Sequence, residues 1–283
     1  GVATFVLDAF TGRGIVGTPS DFGFKGERPT HPQLLDWLAS EFIRNGWSLK
    51  KIHRLILTSN TYQQSSGYDE AGAKVDPDNK LLWRFPRQRL EGEVIRDSAL
   101  AVAGLLNPKM GGPSVLPELP PGLSVRGGWK VSADEAARNR RSVYILVRRN
   151  TRYPMFETFD MPDTHESCAR RNITTTPVQA LTMLNSELAL QWAQSFAGRV
   201  IQSVGNNLDA QIDAAFRLAF SRQPDKEEKK TVKQFFARQR NIVKERRDAG
   251  EPLALPPALP EKADKVEAAA LVDFCHMLIN ANE

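Results

Sequence analysis

The chain is poor in the residues that most often announce a function. Only Cys168 and Cys275 stand among its 283 residues, too few for a disulfide framework and too far apart for a local metal knuckle. They are read as unpaired buried thiols, with pairing in the fold as the alternative, because free cysteine is among the most buried residue types. No apolar run approaches the roughly 20 residues that span a bilayer. No signal peptide opens the chain. The G-x-S-x-G elbow of serine hydrolases and the G-x-x-x-x-G-K-[ST] phosphate loop are both missing, and no internal repeat is visible.

Three further motifs begin and are not completed. Gly12-Arg-Gly-Ile-Val-Gly17 satisfies G-x-G-x-x-G, but a dinucleotide site needs a strand before that loop and a helix opening from it. Thr18-Pro-Ser-Asp21 follows instead, Asp36 falls inside a predicted helix, and the run is read as a turn. Cys275-His276 ends like the haem motif C-x-x-C-H, with Val272 where the first thiol belongs. Neither haem nor nicotinamide is expected to bind, and no cofactor is assigned. His165-Glu166 opens like a zinc-protease helix, but Ala169 replaces the second histidine. Asp160, Asp163, His165, Glu166 and Cys168 could supply mixed ligands to a metal. Their spacing matches no closed site, and a capped, solvated loop is preferred, with no metal assigned.

What the chain does have is arginine. Net charge is +5, with 25% charged and 41% hydrophobic residues, an ordinary balance for a globular chain that permits an anionic partner without requiring one. Arg84, Arg87, Arg89, Arg96, Arg126, Arg138, Arg140, Arg141, Arg148, Arg149, Arg152, Arg170 and Arg171 crowd its middle. Guanidinium forks bind carboxylate, sulfate or phosphate bidentately and stay charged when buried. The preferred reading is internal ion-pair scaffolding, since a buried charge needs a partner. Arg87, Arg89, Arg148, Arg149 and Arg171 are expected to converge with Asp97 and Asp160. A second acid–base trio, Asp21, Arg28 and His31, lies near the N-terminus. The competing reading makes these ten residues an anion-binding site.

Periodicity predicts a mainly α fold with a small β element. Thr30 caps and Pro32 opens a first helix, with Gly46 as its stop; Ser48 caps a second. Leu35, Leu38, Ile52 and Leu55 should be buried in the resulting hairpin. Lys50, Lys51, His53 and Arg54 on its second helix suggest a helix-turn-helix, but they read as a wet face with no basic arm, so nucleic acid is not the expected partner. Tyr68 to Asn79 reads as a surface loop. A helix is expected over Leu90 to Leu106, and Ser142 to Val147 is the best strand candidate. Further helices are expected over Val178 to Val204, Leu208 to Phe220, about Pro224 to Arg247, and Ala263 to Ile279. The chain divides into an Arg-rich region, 1–175, with the hairpin and short strands, and a helical half, 176–283, packed on it as one unit.

Several of these segments also carry a resemblance. Thr18-Pro-Ser-Asp-Phe-Gly23, Gly26-Glu-Arg-Pro-Thr-His-Pro32, Asn45-Gly-Trp-Ser-Leu-Lys50, Leu82-Trp-Arg-Phe-Pro-Arg87, Met110-Gly-Gly-Pro-Ser114, Arg140-Arg-Ser-Val-Tyr144 and Thr174-Thr-Thr-Pro177 occur in order along the chain. Together they resemble a planctomycete cytochrome-c-associated C-terminal domain, the family numbered 1553 among domains of unknown function. The match weakens at both ends: Val2 to Asp8 and Thr11-Gly-Arg-Gly14 depart from the family pattern, and the chain is expected to be a piece of a longer protein. The resemblance implies a non-catalytic scaffold or interaction module of an exported multidomain protein, with cytochrome-c-like domains of the same polypeptide as partners. The alternative is an enzyme or binding domain for acidic or sulfated polysaccharide, with the arginines holding the anion and Asp21 or His31 moving a proton.

Overall fold

A computed structural model describes residues 14–21, 23–120, 128–149, 151–166, 168 and 170–283. The readings on Val2 to Asp8, Thr11 to Arg13, Arg126 and Ala169 lie outside the described residues. The chain gathers into two compact units, Gly1–Arg89 with Ser167–Asn172, and Leu90–Glu166 with Ile173–Glu283. The second unit crosses the 175/176 boundary drawn from the sequence.

In the first unit the expected hairpin forms from α1 (Pro32–Arg44) and α2 (Leu49–Leu57). Pro32 sits at the start of α1, where its missing N–H costs nothing. The capping position is His31, not Thr30, and neither its side chain nor that of Ser48 on α2 makes a capping bond. The chain reverses through Gly46 at φ 67° and Trp47 at φ 59°. Trp47 is held there by its N–H to the Phe42 carbonyl at 2.9 Å and by an edge contact with the Phe42 ring. Leu38, Ile52 and Ile56 are buried, whereas Leu35 and Leu55 are only half-buried. α3 (Asn60–Gln63) follows directly. The expected loop over Tyr68 to Asn79 contains a short helix, α4 (Glu70–Val75), whose Asp69 cap accepts from Gly72 N–H. Its exit is ordered by buried Asp76, whose carboxylate accepts from the N–H groups of Lys80 and Leu81.

The second unit opens with α5 (Gly92–Ala103), stopped by Gly104 in the left-handed region at φ 76°. Gly92 permits a close approach: a Cβ there would stand 3.0 Å from Phe159 Cβ and 3.3 Å from the Phe156 backbone. After α6 (Glu135–Arg138) and α7 (Pro154–Thr158) come five helices, α8 (Pro177–Asn185), α9 (Glu187–Val204), α10 (Leu208–Phe220), α11 (Lys226–Asp248) and α12 (Lys265–Ile279). Each of these five begins at a side-chain cap, from Thr176, Ser186, Asn207, Asp225 and Asp264 in turn. Such caps satisfy backbone N–H groups that have no partner within the helix. α12 packs against α9, α10 and α11. It is apolar nearly all round, as a helix enclosed by others should be. Phe236 and Phe274, with ring centroids 5.2 Å apart, are both fully buried between α11 and α12.

Among the described residues the small β element does not form. Ser142–Tyr144 is a turn of 3₁₀ helix, and around it lie only isolated bridges, Asn107 with Arg140, Val115 with Ile145 and Arg148 with Thr151. The cause is local. Asp97 takes both the N–H and the hydroxyl of Ser142, at 2.8 and 2.6 Å, and a backbone captured by a side chain is withdrawn from a sheet ladder.

Candidate functional site

The irregular middle of the second unit is held by buried guanidiniums. Arg96 lies on the inner face of α5 with Gly92, Ala99, Leu100 and Ala103. Its side chain donates to the carbonyls of Arg138 and Arg140, at 2.7 and 3.0 Å, and to the Ser142 hydroxyl at 3.2 Å. Asp97 stands 3.7 Å from it. Burial lowers the pKa of Arg96, while Tyr153 and Asp97 beside it push the other way. Burial likewise raises the pKa of the Tyr153 hydroxyl, against the pull of Arg96. Arginine tolerates such a place because its charge persists and its donors fan out in a plane.

Arg140 continues the chain of contacts. It is 3% exposed and donates to the carbonyls of Lys109, Gly111 and Pro113. Its guanidinium lies 3.6 Å from the centre of the Tyr144 ring. The Tyr144 hydroxyl accepts from Gly111 N–H at 2.8 Å. That bond, with Arg140 and Arg141 nearby, lowers the hydroxyl's pKa. Arg138 adds a bond to the Ser132 carbonyl at 2.8 Å. Arg199 of α9 collects the carbonyls of Ala101 and Val102 in the last turn of α5. α5, the 138–142 segment and the 109–113 loop are thereby tied together through carbonyls more than carboxylates. Arg96 and Arg140 belong to the arginine series but lie outside the ten residues of the candidate cluster. For Arg96 the signal was available, since it falls on the apolar stripe of its own helix.

The ten residues singled out from the sequence are divided between the units. Asp97, Arg148, Arg149 and Asp160 belong to the second. Asp97 holds Ser142. Asp160, at φ 62°, accepts from the N–H and hydroxyl of Thr174 at 2.9 and 2.8 Å. Arg148 donates to the Gly128 carbonyl. Arg149 is exposed, and its own carbonyl accepts from the Thr164 hydroxyl at 3.3 Å. In the first unit, Arg87 is exposed and reaches the Ser66 hydroxyl, while Arg89 and Arg171 are half-buried. Asp21 closes a turn by accepting from Gly23 N–H, Arg28 is exposed, and His31 Nδ1 lies 2.9 Å from Thr30 Oγ1. No hydrogen bond or ion pair among the described residues joins any of these last three to another.

Among the described residues no three His, Cys, Asp or Glu side chains come together as metal ligands. Both cysteines are free. Cys275 is buried, and burial pushes its pKa well up; Cys168 is exposed, which corrects the expectation that both are buried. Among the described residues no helix is long and apolar enough to cross a membrane.

Comparison with known families adds one finding. A family model described as PSD1, protein of unknown function (DUF1553), matches residues 6–236. The chain belongs to that family. The PSD1 match spans α1 to α10 and ends inside α11, so it takes in the whole arginine network. No curated protein and no solved structure matches the chain.

Proposed function

We propose that this PSD1 chain is a non-catalytic scaffold or interaction module of an exported multidomain protein, working beside cytochrome-c-like domains of the same polypeptide. One observation supports this reading above the others: its buried arginines donate to the chain's own backbone. Arg96 and Arg140 reach carbonyls on two segments, and guanidinium donors engaged in this way are not offered to an outside anion. The alternative, an acidic or sulfated polysaccharide bound through the ten candidate residues, gains no support of the same kind.

The test combines two measurements. The 283-residue chain is titrated with the cytochrome-c-like domain of its own polypeptide in a calorimeter. Its thermal unfolding is then followed with and without a sulfated glycan, for the wild type, Arg149→Ala and Arg171→Ala. Association with the cytochrome-like domain, and melting that ignores the glycan, are the expected results. Stabilisation by glycan that disappears in both variants, with no association, would transfer the conclusion to the polysaccharide.

A further inference from the structure

Within the first unit, α1, α2, α3 and the segment after α4 enclose a cavity of about 440 Å³. That lies in the range of about 300–1,000 Å³ usual for small-molecule sites. Ile15, Leu38 and Ile56 line it as buried side chains. Leu34, Trp37 and Leu81 also line it and remain substantially exposed, Trp37 at 47% and Leu81 at 60%. Apolar surface left wet around a concave space is what a hydrocarbon body would cover, and covering it is favourable in proportion to area.

The polar part of the wall selects the head group. Among the described residues no Asp or Glu lines the cavity. Lys80 does, but its ammonium is matched by Asp78 at 3.1 Å. That leaves His31. The Thr30 hydroxyl lies 3.2 Å from the Ile15 carbonyl, which can only accept, and 2.9 Å from His31 Nδ1. With one proton to give, the hydroxyl donates to the carbonyl and accepts from Nδ1–H. The neutral ring then carries its lone pair on Nε2, and Nε2 makes no hydrogen bond among the described residues. A carboxylic acid meets this acceptor best: bound as the acid it gives its O–H proton to Nε2, bound as the carboxylate it takes that proton from the buffer, and both routes end in a charge-assisted imidazolium–carboxylate pair. An alcohol offers Nε2 a neutral hydrogen bond only. A quaternary ammonium has no proton to offer.

We infer that this cavity binds an amphipathic monocarboxylate, with its hydrocarbon chain between α1 and α2 and its carboxylate on His31. The inference stands apart from the scaffold reading and can fail without it. In the test, the full chain is titrated with dodecanoate, dodecan-1-ol and dodecyltrimethylammonium, each below its micelle concentration. Binding is read by calorimetry and by the Trp37 emission, isolated as the difference from Trp37→Phe. Dodecanoate should saturate a single site and shift that emission to the blue. His31→Ala should weaken dodecanoate about tenfold, as loss of a hydrogen bond to a charged group does, while leaving the alcohol unchanged. Leu81→Trp, an exposed change at the rim that keeps the second test alive if His31→Ala fails to fold, should block dodecanoate in the calorimeter. The inference is overturned by dodecanoate that does not saturate, by the ammonium binding as tightly, or by dodecanoate affinity that either folded variant leaves intact.

Discussion

A buried guanidinium surrounded by carbonyls works as a peg, and that distinguishes the arginines of this chain from one another. Arg96 and Arg140 are 2% and 3% exposed, and each reaches backbone from more than one turn of chain. Truncating either removes a buried guanidinium from the several carbonyls it holds. Arg96→Ala and Arg140→Ala should therefore each cost about 3–5 kcal/mol, the range for breaking a buried charged contact. Because both hold the 138–142 segment, the double variant should lose less than the sum, by about 0.5–3 kcal/mol. Arg149 is exposed, and Arg149→Ala should stay within about 0.5 kcal/mol of the wild type. Urea unfolding of the four proteins checks the set. Equal losses at Arg149 and Arg96 would mean that burial does not set the role of these arginines. From the sequence, all of them looked alike, because abundance says nothing about which side chain points inward. Only the position of Arg96 on the stripe of α5 separates it without coordinates.

At the scale of the element, the sequence was most legible where caps and spacing agree. α10 occupies the expected residues, Leu208 to Phe220, between an Asn207 cap and a left-handed Ser221. The single helix expected over Val178 to Val204 is in fact two. Ser186 ends α8 and caps α9, its hydroxyl accepting from Ala189 N–H. A continuous apolar spacing concealed that break, although Asn185-Ser186 was a readable stop. Ser142 to Val147 failed for a different reason. Its β-branched composition favours a strand, but Asp97, far away in sequence, claims the backbone it would need, and no local pattern reveals that. α11 offers the prediction here. Asp225 and Glu228 form a reciprocal capping box, and Glu228 also pairs with Arg222 at 2.7 Å. Arg222, followed by Asp225 N–H, lowers the Glu228 pKa from its ordinary 4.5 to about 2. A folded-state pKa below the unfolded one contributes stability in full above pH 4.5, and that contribution is lost as pH falls towards 2. The pair lies at the surface, where solvent screens it and keeps its contribution small. Glu228→Gln keeps an acceptor for the box and removes only the charge. Its stability, measured by urea unfolding from pH 6 down to about 2, should fall less steeply below pH 4.5 than that of the wild type. Parallel curves would mean that the unfolded chain holds Glu228 equally well.

At the scale of the whole molecule, each compact unit carries one thiol. Cys168 lies in the Ser167–Asn172 segment of the first unit and is exposed; Cys275 lies in α12 of the second and is fully buried. The Ala268-Ala-Ala-Leu-Val272 run on α12 already signalled enclosure, since a helix without a polar face must be covered on all sides. What the sequence did not show was which helices cover it, and the structure names α9, α10 and α11. A thiol reacts as thiolate, and burial both raises the pKa of Cys275 and bars the reagent. In native buffer an aromatic disulfide reagent should therefore label Cys168 at once and Cys275 scarcely at all. Labelling of Cys275 needs α12 to part from its neighbours, an opening that belongs to the most stable part of the unit. Its rate should rise in urea with the same midpoint as the loss of helical circular dichroism. Cys168→Ser should remove the fast phase and leave the slow one unchanged. If Cys275 is labelled in native buffer as quickly as Cys168, α12 is not the enclosed helix of the second unit. If instead the slow phase precedes the helical loss, α12 separates from the bundle before the remaining helices melt, and the unit unfolds in more than one step.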